Sequence, residues 1–267
     1  MFVTLHKCAR TFIRDEITLN TPRKNKPIAN EVEHFKGMVS ICEENATMAA
    51  MFHETWSPTA NDAELLDRMG TSFATNSFHI VAWALRRELI LALMRIWDTR
   101  HDTPNMESIW RWLTDDSKYE ELLKDRAQKI SSVPELVWDM LRSSLGSKRK
   151  NIRMAIESYL IEGEKHASLE RVRTVRNKRL AHHDLELPPG LVDPTNEEVV
   201  QLYRDTLTIV SELLHLVSGT AFDLLEDEAG RHAHNAKFFW VAVRGERTEG
   251  HPDFRLMPPD PVASYPA

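Results

Sequence analysis

Helix-start signals recur along this chain of 267 residues and constrain its fold more than any other feature. In a capping box, an N-cap residue is followed three positions later by Glu, and the pair satisfies two backbone N–H groups that the first helical turn leaves unpaired. This spacing occurs at Asn30/Glu33, Asn61/Glu64, Ser132/Glu135 and Thr195/Glu198. Thr103 followed by Pro104 predicts one more start, because proline suits the first helical position. The sequence therefore predicts an all-α fold.

The predicted helices form one domain with an extension at each end. They are expected near residues 30–56, 62–70, 76–97, 105–114, 117–130, 133–146, 149–180 and 195–226. We expect a helical domain over residues 29–230, a poorly ordered extension at residues 1–28, and an irregular, partly disordered tail at residues 231–267. Within the tail, FFWVAVRG (238–245) has strand-like content and is expected as an edge strand, a partner-binding segment or a packed tail.

Two predicted helices carry enough apolar surface to form the centre of the domain. The helix at 76–97 is apolar on most sides, and the helix at 195–226 has a broad apolar stripe that should pack against it. Arg86, Arg87 and Glu88 interrupt the first helix, which argues against a membrane span. The two cysteines cannot form a disulfide framework, and the N-terminus does not resemble an export signal. We therefore expect a cytoplasmic protein.

Charge is distributed unevenly along the chain. The net charge of −6 argues against a general surface for polyanions. Residues 142–179 nevertheless contain eleven Lys or Arg and four Glu, whereas residues 184–228 contain eleven acidic residues and one basic residue, Arg204. The basic stretch either forms a stripe that holds phosphates or forms a solvated helix face that the acidic C-terminal helix neutralises.

The basic stretch runs into VRTVRNKRLAHHD (172–184), which contains the residue types needed to cleave RNA without a metal. Such cleavage requires a base for the ribose 2′-OH, donors for the charge on the phosphorane, and an acid for the leaving 5′-oxygen. Histidine suits both proton roles because its pKa lies near neutral pH, and arginine grips phosphate oxygens bidentately. Arg176, His182 and His183 supply these types within eight residues.

Helix geometry leaves the histidine partner of Arg176 undecided. On a straight α-helix the six-residue step to His182 rotates by about 240°, whereas the seven-residue step to His183 ends within about 20° of Arg176. Either His183 is the partner, or the helix bends or ends near Leu180 and brings His182 round. A second copy of the chain could also supply the complementary groups.

Two other interpretations of this segment stay open. His182 and His183 could cap the helix C-terminus, where the helix dipole favours a cationic side chain. His183 and Asp184 could instead be the HD pair of a metal-dependent phosphohydrolase, although adjacent histidines cannot both face one metal from a regular helix. The further ligands of such a site would be His166, Asp193 and Asp223.

RNKRLAHHD resembles the signature of the HEPN superfamily, in which an Arg followed directly by a polar residue precedes a His by four to six residues. Arg176, Asn177 and His182 match this signature with five intervening residues, and His183 would match with six. The helix LRRELILALMRIWD (85–98), taken with this motif, resembles the AbiU-type abortive-infection branch of the superfamily.

The resemblance implies a helical bundle that homodimerises with its motifs facing each other. It further implies a ribonuclease that needs neither metal nor cofactor and acts as a toxin or anti-phage effector, with a cognate antitoxin as a candidate partner. The catalytic residues carried over are Arg176, Asn177 and His182, with His183 in reserve, and the residues expected to bind RNA are Arg173, Lys178 and Arg179. Some HEPN proteins keep the fold without nuclease activity, so a catalytically inactive protein that binds nucleotides, RNA or a partner is the alternative.

Overall fold

The computed structural model describes residues 28–70, 73–100, 103–181 and 192–243, and this part of the chain contains helices and no strand. In chain order the helices are α1 (Ile28–Asn61), α2 (Ala63–Met69), α3 (Phe73–Ile96), α4 (Met106–Thr114), α5 (Asp116–Ile130), α6 (Pro134–Glu157), α7 (His166–Val175), α8 (Asn196–Ser218) and α9 (Ala229–Ala242). A π-helical turn at Arg176–Ala181 continues α7, and a second at Leu224–Glu228 leads into α9. The predicted all-α fold is confirmed.

The core forms where α1, the second half of α3 and α8 pack together, with α4 to α7 closing one side. Leu89 and Leu93 of α3 and Trp97 directly after it are buried in the core, whereas Ile80 and Trp83 in the first half of α3 are exposed. The prediction of a central helix therefore holds only for the second half of α3. None of the helices in the described ranges is both long enough and apolar enough to cross a membrane.

One of the four predicted capping boxes forms as expected, and it begins α8. The Thr195 hydroxyl accepts a hydrogen bond from the Glu198 N–H at 3.2 Å, and the Glu198 carboxylate accepts one from the Thr195 N–H at 3.0 Å. Asn61 does not cap α2, because α1 continues through it. Asp62 takes this place instead and accepts a hydrogen bond from the Leu65 N–H at 3.0 Å.

Two other helix starts also differ from their predictions. Asn105, not Thr103, caps α4, because its amide oxygen accepts from the Ser108 N–H at 2.8 Å while its amide nitrogen donates to the Thr103 carbonyl at 3.0 Å. Ser132 does not cap α6, whose N-cap is Val133 and has no side-chain cap. Here the proline at the first helical position sets the start.

The predicted break after Gly146 is wrong, since α6 continues through it. Space around Gly146 is open, and Leu145 and Ile152 are buried on one face of the same helix, so packing outweighs the low helix propensity of glycine. The break lies instead at 158–165. It is closed by a hydrogen bond of 2.8 Å from the Lys165 N–H to the Ser158 carbonyl.

The C-terminal part also departs from the sequence-based expectation. The helix expected over 195–226 ends at Ser218, where Gly219 adopts the left-handed conformation with φ of 77°. The strand-like reading of FFWVAVRG is wrong for 238–242, which belong to α9, while residues 244 and 245 lie outside the described residues. Burial explains the helix, because Ala236 and Trp240 lie one turn apart and both pack against α2 and α3. α9 thus crosses the expected domain boundary at residue 230.

Candidate functional site

The motif lies where α7 meets the C-terminal end of α3. Leu169, Val172 and Val175 are buried and hold α7 against the bundle, and the chain then enters the π-helical turn at Arg176–Ala181. A π turn closes i→i+5 hydrogen bonds, so the rotation of ~100° per residue that was used to compare His182 with His183 does not apply across it. Both histidines lie outside the described residues, and their assignment stays a prediction.

Arg176 pairs with a carboxylate at the end of α3. Its Nη2 lies 3.5 Å from the Oδ1 of Asp98, and the two side chains are only 23% and 20% exposed. Asp98 also accepts a hydrogen bond from the Thr99 N–H at 2.7 Å, which fixes the carboxylate. The predicted central helix carries two acidic residues, Glu88 and Asp98, whose position relative to the motif the sequence leaves undecided. The structure places Asp98 at the motif, whereas Glu88 pairs with its neighbour Arg87 at 3.2 Å.

The neighbouring motif residues differ in their surroundings. Arg173 donates from Nη2 to the Trp97 carbonyl at 2.9 Å and forms an ion pair with Glu170, so it ties α7 to the last turn of α3. Asn177 is exposed and Lys178 is half-buried. The backbone of Arg179 lies in the π turn. RNA binding by Arg173, Lys178 and Arg179 stays a prediction.

A row of acidic residues on α8 faces the basic stretch. Glu198, Asp205 and Glu212 lie seven residues apart, which places them on one face of the helix. They form ion pairs with three cations of α6, α7 and the turn between them: Glu198 with Arg171, Asp205 with Lys165, and Glu212 with Lys148. For these residues the structure favours the second reading of the charge pattern, a basic face that the acidic helix neutralises.

The Glu198 carboxylate accepts hydrogen bonds from three residues: Arg171, Ser168 and Thr195. Hydrogen bonding from Arg171 lowers the pKa of the Glu198 carboxyl to about 2, against the opposing effect of partial burial. The Ser168 hydroxyl and the Thr195 N–H add hydrogen bonds of 3.0 Å each. One carboxylate therefore joins the start of α8 to α7, which presents the motif.

A pocket of about 360 Å³ opens beside the pair of Arg176 and Asp98. It lies between the end of α3, α4, the turn at 158–165, and α7. Its lining combines aromatic, aliphatic and ionisable side chains: Trp97, Asp98, Thr99, Glu107, Tyr159, Leu160, Ile161, His166, Leu169, Glu170 and Arg173. Among these residues, only Arg173 was expected from the sequence to bind RNA. The signal available in the sequence was Asp98, the acidic residue that ends the segment 85–98.

The metal interpretation finds no assembled site in the described part of the chain. No three His, Cys, Asp or Glu side chains among these residues lie close enough to hold one ion. Asp223 caps the second π turn, and the Nδ1 of His166 lies 3.2 Å from the Tyr159 carbonyl oxygen. His183 and Asp184 lie outside the described residues.

The helical bundle, with an Arg–Asn pair at the end of one of its later helices, is consistent with a HEPN-like fold. The chain belongs to the HEPN AbiU2 family, whose model, described as AbiU2, matches residues 33–237. The resemblance to the AbiU-type branch is thereby confirmed, and the chain stands among abortive-infection-related HEPN domains. The match extends into α9, beyond the predicted helical domain. No curated protein and no solved structure matches the chain.

Proposed function

We propose that this protein is a metal-independent endoribonuclease that acts as a toxin or abortive-infection effector against phage. Arg176 clamps the scissile phosphate, and His182 exchanges protons with the 2′-OH or the leaving 5′-oxygen. Asn177 orients the phosphate or one of these side chains, and His183 is the reserve for His182. The protein would act in the cytoplasm, with a cognate antitoxin as its candidate regulator.

The observation that carries this proposal is the placement of Arg176. The ion pair with Asp98 engages Nη2, and a guanidinium has five N–H donors, so donors remain for phosphate oxygens. Because the side chain is three-quarters buried and tethered, it loses little conformational freedom when it grips a phosphate. Asn177, directly after it, is exposed and accessible to the same ligand.

Flanking phosphates would bind to Lys178, Arg179 and the remaining donors of Arg173. Three other cations of the basic stretch, Lys148, Lys165 and Arg171, already have carboxylate partners on α8. RNA affinity would therefore come from a few contacts around Arg176, and a broad electrostatic stripe would contribute little.

The first experiment incubates the purified full-length chain with 5′-labelled single-stranded RNA in EDTA. The same assay is run with His182→Ala, Arg176→Ala and the control His34→Ala, which changes an exposed histidine on α1. We expect wild type and His34→Ala to leave 2′,3′-cyclic phosphate ends and the two motif variants to leave the RNA intact.

Each other result has a defined meaning. Cleavage by His182→Ala but not by His183→Ala moves the proton role to His183. Cleavage that stops in EDTA supports the metal-dependent phosphohydrolase. Bound but uncleaved RNA, with an affinity that collapses as salt rises, supports the non-catalytic binding protein.

The proposal includes a homodimer whose facing motifs form composite sites. Co-expressed Arg176→Ala and His182→Ala chains carry separate tags, and the mixed dimers are purified through both. Activity in the mixed dimers, with none in either parent, means that Arg176 of one subunit works with His182 of the other. Inactive mixed dimers place both groups of each site in the same chain, and a fully active monomer in sedimentation removes the composite site altogether.

A further inference from the structure

The pocket beside Arg176 has the size and composition of a ligand site. Its volume of about 360 Å³ falls within the range of roughly 300–1,000 Å³ that is typical of small-ligand pockets. Asp98 belongs both to its lining and to the ion pair with Arg176. A phosphate held by Arg176 would therefore bring the adjoining nucleotide to the mouth of this pocket.

The turn at 158–165 places an apolar side chain at the rim. Ile161 lines the pocket and is nevertheless 82% exposed, which is unusual for isoleucine. The next residue, Glu162, has φ of 73°, a left-handed conformation that is costly for a residue with a side chain. Hydrogen bonds from Gly163 to Leu160 at 2.9 Å and from Lys165 to Ser158 at 2.8 Å hold this turn closed. The apolar rim is thus held in a fixed position.

Besides the apolar rim, the pocket lining offers hydrogen-bond acceptors. Asp98, Glu107 and Glu170 all line it, and each carboxylate has a cationic partner, so they do not simply repel one another. A carboxylate has about four acceptor positions, and one ion pair leaves some of them available. A pocket whose lining combines apolar side chains with carboxylate acceptors suits a flat aromatic ring that carries an amino group.

We propose that this pocket binds an RNA base next to the phosphate at Arg176 and prefers a base with an exocyclic amine over uracil. Ile161 contacts the face of the base, and Glu107 or Glu170 accepts a hydrogen bond from the amine. Cytosine donates from N4 where uracil has a second carbonyl oxygen, which a carboxylate repels. In placing the base beside a reacting phosphate, the inference rests on the proposed ribonuclease function.

The test compares cytosine with uracil, because these two bases differ on the edge that the carboxylates would contact. Calorimetry measures binding of 2′-O-methyl oligocytidine and oligouridine of equal length, which the protein cannot cleave because the 2′-OH is blocked. We expect wild type to bind oligocytidine roughly tenfold more tightly. Glu107→Gln and Glu170→Gln should reduce the preference, and Ile161→Ser should weaken binding of both oligonucleotides.

Matched controls separate the pocket from general surface effects. Glu121→Gln changes a glutamate on α5 that pairs with Lys124, and Ile130→Ser changes an isoleucine that is 58% exposed at the end of α5. Both controls should bind like wild type. Equal binding of the two oligonucleotides, no binding, or a preference that survives all three pocket variants would overturn the inference.

Cleavage assays keep this inference separate from the proposed function. Cleavage of mixed-sequence RNA that is indifferent to the bases beside the cut retains the nuclease and removes the base pocket. Selective binding that depends on Glu107 or Glu170, in a protein that cleaves no RNA, retains the pocket and removes the nuclease.

Discussion

Arg176 and Asp98 are 78 positions apart in sequence, and their side chains meet at 3.5 Å where α7 ends against α3. The pair joins the motif to the long helix that packs in the core. Its geometry limits where the guanidinium can lie, and Asp98 touches the proposed pocket as well. Asp98 is therefore a positioning residue for Arg176 in the proposed reaction.

Replacing Asp98 with Asn should lower kcat for RNA cleavage by about tenfold to a hundredfold, because a misplaced clamp stabilises the transition state less well. KM should change little, since Arg176 keeps its charge. The measurement is steady-state cleavage of a short labelled RNA, with Glu88→Gln as the control, because Glu88 is a half-buried glutamate of α3 that pairs with Arg87 and not with Arg176. Equal kcat in Asp98→Asn and wild type would contradict the positioning role.

Replacing Thr206 with Val should destabilise the protein by about 1–3 kcal/mol. The Thr206 hydroxyl accepts a hydrogen bond from the Trp97 Nε1–H at 2.9 Å, and both residues are almost fully buried, so the substitution leaves a buried donor unpaired. Thr208→Val is the matched control, because its exposed hydroxyl bonds only to the Arg204 carbonyl at 3.0 Å. Urea unfolding should show a change within about 0.5 kcal/mol for the control. Similar losses in the two variants would contradict this account.

Stability should depend on the ionisation of Glu198 in acid. Its folded-state pKa of about 2 lies below the ordinary value of 4.5, so its contribution is fully present above pH 4.5 and is lost as pH falls towards 2. Glu198→Gln should therefore be less stable than wild type at pH 6, by about 1 kcal/mol for a partly exposed pair. Urea unfolding at pH 6, 4 and 3 should show this difference shrinking with pH. A difference that stays constant would show that the loss does not depend on the ionisation of Glu198.

Alanine at two glycines should have opposite effects. Gly146 lies within α6, and a Cβ added there would meet no neighbouring side chain or helix, so Gly146→Ala should stabilise the protein by about 0.5–1 kcal/mol through higher helix propensity. At Gly163 a Cβ would collide with the backbone carbonyl oxygen of Ser158, so Gly163→Ala should destabilise the turn. Thermal unfolding of the two variants measures both signs. A tolerated Gly163→Ala would show that the turn can rearrange.

Sequence patterns predicted most of the helices correctly but placed several of their first and last residues wrongly. Apolar periodicity identified α3 and α8 because it reflects the face that packs in the core. The break between α6 and α7 was expected just after residue 146, but the position of a break depends on packing and on the turn that closes it. The helix α9 was missed for a similar reason. Ala236 and Trp240 pack against residues of α2 and α3, which lie far away in the sequence and therefore leave no local signal.

The sequence predicted only those residues of the candidate site that lie next to one another in the chain. Arg176 and Asn177 could be found because the motif is local, and the structure adds the contacts of Arg176. The pocket draws on α3, α4 and the turn at 158–165 together with α7, and residues so far apart have no shared signal in a single sequence. The π turn was also beyond prediction, because the sequence signals used here assume an α-helical period.

The acidic residues on α8 already pair with cations that the phosphates of the proposed RNA ligand could otherwise bind. A phosphate that reaches Arg171 has to displace Glu198, a carboxylate already covalently part of the chain and held by the capping box. If the protein binds RNA as proposed, a long RNA would therefore gain little affinity from lying along the basic helices. Selection between RNA sequences would then depend on the short region around Arg176, which would contact one or two nucleotides of a bound strand.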